Sequence, residues 1–114
     1  MKKYEKALDA YKRALETVDG KLDLQVHANA GEMALRLDRH DEAIDSLKTA
    51  LSISTDVQLD IKIRGNLASA LFGKGLMANN EKRYEEALKL FREALLYEPD
   101  DKDILKAIRR LETK

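Results

Sequence analysis

Tyr84-Glu85-Glu86-Ala87-Leu88-Lys89-Leu90-Phe91-Arg92-Glu93-Ala94-Leu95-Leu96-Tyr97-Glu98-Pro99 is the stretch on which the fold turns. Its apolar residues Tyr84, Ala87, Leu88, Phe91, Ala94 and Leu95 recur at three and four, the period of one helix face. Pro99 closes the run, because proline has no N–H to donate and restricts the residue before it. The same pattern occurs twice more. Tyr4-Glu5-Lys6-Ala7 is followed by Tyr11 and Ala14, and His40-Asp41-Glu42-Ala43 by Leu47 and Ala50. Each reads aromatic-x-x-Ala-x-x-x-large-x-x-Ala. The small residues let a neighbouring helix approach closely, and the large one fills the gap between helices. Self-similarity of this kind is the mark of stacked repeats.

The segments between these three runs are helical as well. Ala30, Met33, Ala34 and Leu37 share one face of a helix spanning about Leu22 to Leu37, after a turn at Asp19-Gly20. Asp41 is placed to cap the helix that follows. Val57-Gln58-Leu59-Asp60-Ile61-Lys62-Ile63 alternates as a strand would. No second alternating run exists to pair with it, however. The same residues also pair at four, as Val57/Ile61 and Leu59/Ile63, and lead unbroken into Leu67, Ala68, Ala70 and Leu71. The segment therefore reads as one long helix, ending at Asn79-Asn80 or nearer Lys82. Asp100 or Asp101 caps a last helix bearing Ile104, Leu105, Ile108 and Leu111. Arg109, Arg110 and Lys114 follow at its negative end. The expected fold is all-α, with about six helices arranged as antiparallel hairpins in an α-α superhelix.

Composition agrees and excludes other classes. The chain has 114 residues, 21 Lys+Arg against 21 Asp+Glu, one Pro, five Gly and no Cys. With no cysteine there is no disulfide framework and no thiolate chemistry. Balanced charge is a poor footprint for nucleic acid. No run is apolar enough to span a bilayer, and the charged start Met1-Lys2-Lys3-Tyr4-Glu5 does not read as a signal peptide. An intracellular, cytoplasmic location is the expectation.

The three runs resemble the second helix of the tetratricopeptide repeat, a helix–turn–helix unit. Asn29-Ala30-Gly31 and Asn66-Leu67-Ala68 resemble the start of its first helix, where Gly31 or Ala68 marks the closest crossing. On this reading residues 1–114 form a single domain. It comprises a leading second-type helix (1–19), a repeat (22–53), an extended repeat (57–98) and a C-terminal capping helix (100–113). The interval from Asn66 to Ala87 exceeds that from Asn29 to Ala43 by seven residues, about two turns. The hairpin Leu59–Tyr97 is thus expected to be longer than its neighbour and to project beyond it. An alternative alignment starts the motif at Leu71 and Gly75. It needs no internal insertion and loses the Asn-Leu-Ala match.

The resemblance implies a non-catalytic module that holds a protein or peptide partner in a groove lined by the first helices. The groove residues it implies are Gln25, Asn29, Glu32 and Arg36, then Lys62, Asn66, Ser69 and Gly73. Asn29 and Asn66 resemble an asparagine ladder, whose amides offer both donor and acceptor to a peptide backbone. A carboxylate clamp for chaperone tails is not expected, because Asn66 stands where the family's Arg belongs. The leading helix lacks its usual partner. Tyr4, Leu8 and Tyr11 are expected to form an exposed stripe, either cut from a longer array or serving a homodimer. A third reading, an RNA-binding helical repeat, needs a basic groove that the neutral charge does not supply. No cofactor or metal is expected: His27 and His40 are thirteen apart on different elements. Gly73-Lys74-Gly75 lacks the spacing of a phosphate loop.

Overall fold

The computed structural model describes residues 2–15 and 24–113, and these form six helices. They are α1 (Lys2–Leu15), α2 (Leu24–Arg36), α3 (His40–Ile53), α4 (Val57–Asn80), α5 (Tyr84–Tyr97) and α6 (Lys102–Glu112). The turn expected at Asp19-Gly20 lies outside the described residues. The alternating stretch is helical: α4 runs for 24 residues without a break. Asp56 starts it by accepting a 3.1 Å hydrogen bond from the Leu59 N–H. Ile63, Leu67 and Leu71, four apart, are all essentially buried on one face. Burial of that face outweighs the β-propensity of the alternating residues.

Two matching turns end α2 and α4. Arg39 N–H donates to Ala34 O at 2.9 Å and Asp38 N–H to Leu35 O at 3.1 Å. Arg83 N–H donates to Ala78 O at 2.8 Å and Lys82 N–H to Asn79 O at 3.0 Å. Both are Schellman closures, with Asp38 (φ 56°) and Lys82 (φ 64°) taking the left-handed position. Each turn feeds directly into the next helix. Asp41 is therefore not the cap of α3: the helix begins at His40, and Arg39 before it makes no side-chain cap.

Successive helices pack in order, α1 on α2 through α5 on α6, and α2 also touches α4. One continuous core results, including Leu8, Ala34, Leu47, Leu67, Leu71, Phe91 and Ile104. Glycine marks the tightest crossing within each hairpin. A Cβ on Gly31 would stand 2.5 Å from Leu47 Cγ, and one on Gly75 2.5 Å from Phe91 Cε1. Gly31 and Gly75 are 44 positions apart, as are Leu47 and Phe91 and the starts of α3 and α5. The structural repeat thus follows the second alignment, in which Gly75 rather than Ala68 matches Gly31.

The extra turns lie at the start of α4. A Cβ on Gly65 would meet the Glu98 carboxylate at 3.3 Å, so α5 ends opposite Gly65. Residues 57–64 run past that end by about 12 Å. The expected projection is real for this one arm. The other arm, α5, has the same 14 residues as α3.

The leading helix differs from expectation. α1 packs against α2 and buries Leu8 to 1% exposure, with Tyr11 against the same core. Tyr4 lies under the Arg36 guanidinium, 5.5 Å from ring centroid to Cζ. The flank of α2 supplies the partner that α1 lacks, so Tyr4, Leu8 and Tyr11 do not form an exposed stripe.

Candidate partner-binding groove

The helices α2, α4 and α6 lie side by side on one surface. Between α2 and α4, Gln25, Asn29, Glu32, Lys62 and Asn66 come together over Leu47, Leu59 and Ile63. Five of the implied groove residues thus lie together in the structure. The space they enclose is only about 10 Å³, at the threshold for one water. It is a polar seam and not a cavity. Gln25 Nε2 donates to Asn29 Oδ1 at 2.9 Å along α2. Across the seam, Lys62 and Asn66 on α4 make no side-chain hydrogen bond or ion pair among the described residues.

The other implied residues are placed elsewhere. Arg36 turns toward α1, over Tyr4, and pairs with Glu32 at 3.4 Å. Gly73 is covered by the His40 ring, whose Nε2 lies 2.5 Å from where a Cβ would be. Ser69 is exposed and faces α6.

Open space also lies between α4 and α6, which sequence reasoning did not single out. A cavity of about 450 Å³ is lined by Gly65, Ala68, Ser69, Phe72, Glu98, Asp101, Asp103 and Ile104. A second, of about 280 Å³, follows along the same two helices at Leu76, Asn79, Ala107, Arg110 and Leu111, with Phe91 beneath. The alternation of residues 57–63 was the available signal. In a helix it means two apolar stripes: Leu59 and Ile63 turn inward, while Val57 (71% exposed) and Ile61 (60%) face solvent.

Ion pairs tie the outer surface together. Lys12–Glu42 (2.8 Å) links α1 to α3 and Asp41–Lys74 (2.6 Å) links α3 to α4. Lys48–Glu93 (2.9 Å) links α3 to α5 and Arg92–Glu112 (3.1 Å) links α5 to α6. His27 is buried. Among the described residues no group of three or more His, Cys, Asp or Glu is arranged to hold a metal. No described helix is long and apolar enough to cross a membrane.

Helix hairpins crossing at a small residue, repeated along one core, define a helical-repeat protein. The chain belongs to the tetratricopeptide-repeat family, whose model matches residues 1–57 and 66–104. The internal gap, residues 58–65, coincides to within one residue with the overhanging turns 57–64 of α4. The chain also resembles the solved Arabidopsis OM64 TPR domain, with a TM-score of 0.53 at 24% identity over 98% of this chain and 83% of that one. That likeness supports the fold. No curated protein matches the chain at a significant level. Repeats of this family generally mediate protein–protein interactions and act as non-catalytic scaffolds.

Proposed function

We propose that this chain is a protein-interaction module that holds a peptide or helix of its partner on the surface of α2, α4 and α6. The observation that carries the reading is the seam. Lys62 and Asn66 stand unpaired on α4, beside Gln25, Asn29 and Glu32 of α2. A partner backbone laid along it meets amides that donate and accept whatever its side chains are. Because the seam is filled, the partner lies on top of it, with Arg36 and Ser69 at its margins. Two repeats offer a modest area, so affinity for one short segment is expected to be weak.

The test is binding to an array of immobilised peptides. Asn29→Ala/Asn66→Ala is expected to weaken the captured peptides while far-UV circular dichroism stays unchanged. Unaltered capture by that variant removes the groove assignment. Homodimerisation through Tyr4, Leu8 and Tyr11 is the second reading from sequence, and burial of Leu8 within the chain leaves it little apolar surface. A cytoplasmic location is consistent with the composition, and fractionation of cells expressing the tagged chain tests it.

A further inference from the structure

The overhanging turns of α4 leave an uncovered apolar track. Val57, Ile61, Gly65, Ala68 and Phe72 recur at three and four, within about 80° around the helix. Over most of α4 this side is the one that α5 covers: Gly75 and Phe72 both lie against Phe91. Beyond Gly65, α5 has ended. Val57 and Ile61 therefore stand 71% and 60% exposed, whereas Ala68 is buried. The track is about 22 Å long and opens into the 450 Å³ cavity, whose floor is Ala68, Phe72 and Ile104.

Charge at this cavity has one sign. Glu98, Asp101 and Asp103 line it, and no lysine or arginine does. Asp101 is engaged as the cap of α6, accepting from Asp103 N–H at 2.9 Å and Ile104 N–H at 3.0 Å. The Glu98 and Asp103 carboxylates have no hydrogen-bond or ion-pair partner among the described residues. The basic residues of α6 lie elsewhere: Lys102, Lys106 and Arg109 border a different hollow, and Arg110 lies at the far end of the α4–α6 channel. Arg64, exposed, borders the other end of the track: it lies three residues from Ile61 and about 20° around α4 from Val57, and it does not line the cavity.

We propose that this track docks a cationic amphipathic segment of a partner protein. Large apolar side chains would cover Val57 and Ile61 and enter the cavity, and Lys or Arg would sit against Glu98 and Asp103. The segment's charge is fixed by complementarity: an anionic one would bring like charge to three carboxylates, and a neutral one would leave Glu98 and Asp103 unmatched. The inference rests on the interaction-module reading and assigns it a second contact region with a chemistry the seam does not have.

The experiment uses the whole chain and two fluorescein-labelled synthetic peptides of equal length. Both carry leucines at three and four spacing, with lysines in the polar positions of one and glutamates in those of the other. Fluorescence anisotropy is expected to show the lysine peptide binding about tenfold tighter, with the difference shrinking as salt rises. Glu98→Gln/Asp103→Asn is expected to reduce that preference to about threefold or less. Ile61→Ser, at an exposed site that leaves the core intact, is expected to weaken the lysine peptide about fivefold or more. Asn29→Ala/Asn66→Ala is expected to weaken the two peptides alike and so to leave the lysine-over-glutamate preference within about twofold. Equal binding of the two peptides, absence of binding by the lysine peptide, or indifference to Ile61→Ser overturns the proposal. Loss in Asn29→Ala/Asn66→Ala with none in Ile61→Ser places the peptide on the seam, which discards the track and keeps the module.

Discussion

Phe91 packs so closely on Gly75 that a Cβ there would stand 2.5 Å from Cε1 and 2.7 Å from Cδ1 of the ring. Phe91 is 1% exposed and also meets Phe72, with ring centroids 5.3 Å apart, so the ring is held on two sides and any shift must go toward the α4–α6 channel. Gly75→Ala gains about 1 kcal/mol of helix propensity and forces overpacking that costs about 1–3 kcal/mol. The expected outcome is a net loss of up to about 2 kcal/mol in urea denaturation. Shortening the ring, in Gly75→Ala/Phe91→Leu, is expected to recover part of the loss that the two single changes would sum to. Additive single and double variants would show that the crossing is not the cause.

Neighbouring positions on the overhang are expected to behave oppositely. Ile63 is 1% exposed and Ile61 60%. Ile63→Ala is expected to cost about 2–5 kcal/mol as a core truncation, and Ile61→Ala under about 0.5 kcal/mol. Chemical denaturation of both variants checks this. Equal costs would mean that the overhang is not packed by one face.

Asp101 carries the start of α6 alone, accepting from two N–H groups at 2.9 and 3.0 Å. Asp101→Ala is expected to lower stability by about 0.5–2 kcal/mol. Asp101→Asn retains an acceptor and is expected to lose much less. Amide hydrogen exchange in residues 102–106 reads the effect locally, with protection falling there first.

The ion pair between α3 and α5 gives a pH dependence. A hydrogen bond to Glu93 raises the Lys48 ammonium above its ordinary value of 10.5. Partial burial opposes the shift, while the charges of Glu93, Tyr97 and Asp45 reinforce it. A pKa raised by folding gives stability that is fully present below the unfolded value and is lost as pH rises through the folded one. The pair is half exposed, so Lys48→Met is expected to cost only about 0.2–1 kcal/mol at neutral pH. That difference should vanish in strongly alkaline solution, where urea midpoints of the two proteins converge. A constant gap across the alkaline range would assign the loss to packing by the lysine stem.

The helices, their order and the hairpin pairing were legible because period and punctuation act locally. Pro99, the Asp101 cap and the three-and-four spacing of Tyr84 to Leu95 are all readable in a single turn or two. The site of the insertion was not. Asn66-Leu67-Ala68 imitates Asn29-Ala30-Gly31 in composition, whereas the true counterpart of Gly31 is fixed by which residue meets a large side chain on the next helix. Gly75 shows that only through Phe91. Five of the residues that the first alignment implied lie together at the seam even though that alignment is not the structural repeat, whereas Arg36 turns away because its place depends on Tyr4 of α1. The cavity between α4 and α6 escaped for the same reason: two segments far apart in sequence, residues 65–72 and 98–104, enclose it, and each of its carboxylates reads locally as a cap or a solvated charge.

The length of α4 has a consequence for how the protein comes apart. In arrays of this kind each repeat is one unit of a nearly one-dimensional chain, and ends can fray independently when the coupling between units is weak. Here the inward residues Leu59 and Ile63 of the overhang pack beside Leu47 of the first hairpin, while Gly75 of the same helix packs on Phe91 of the second. Both hairpins depend on one unbroken ladder of backbone hydrogen bonds. Melting either one unwinds a strut that the other is using, so denaturation is expected to be a single cooperative transition with no half-folded intermediate.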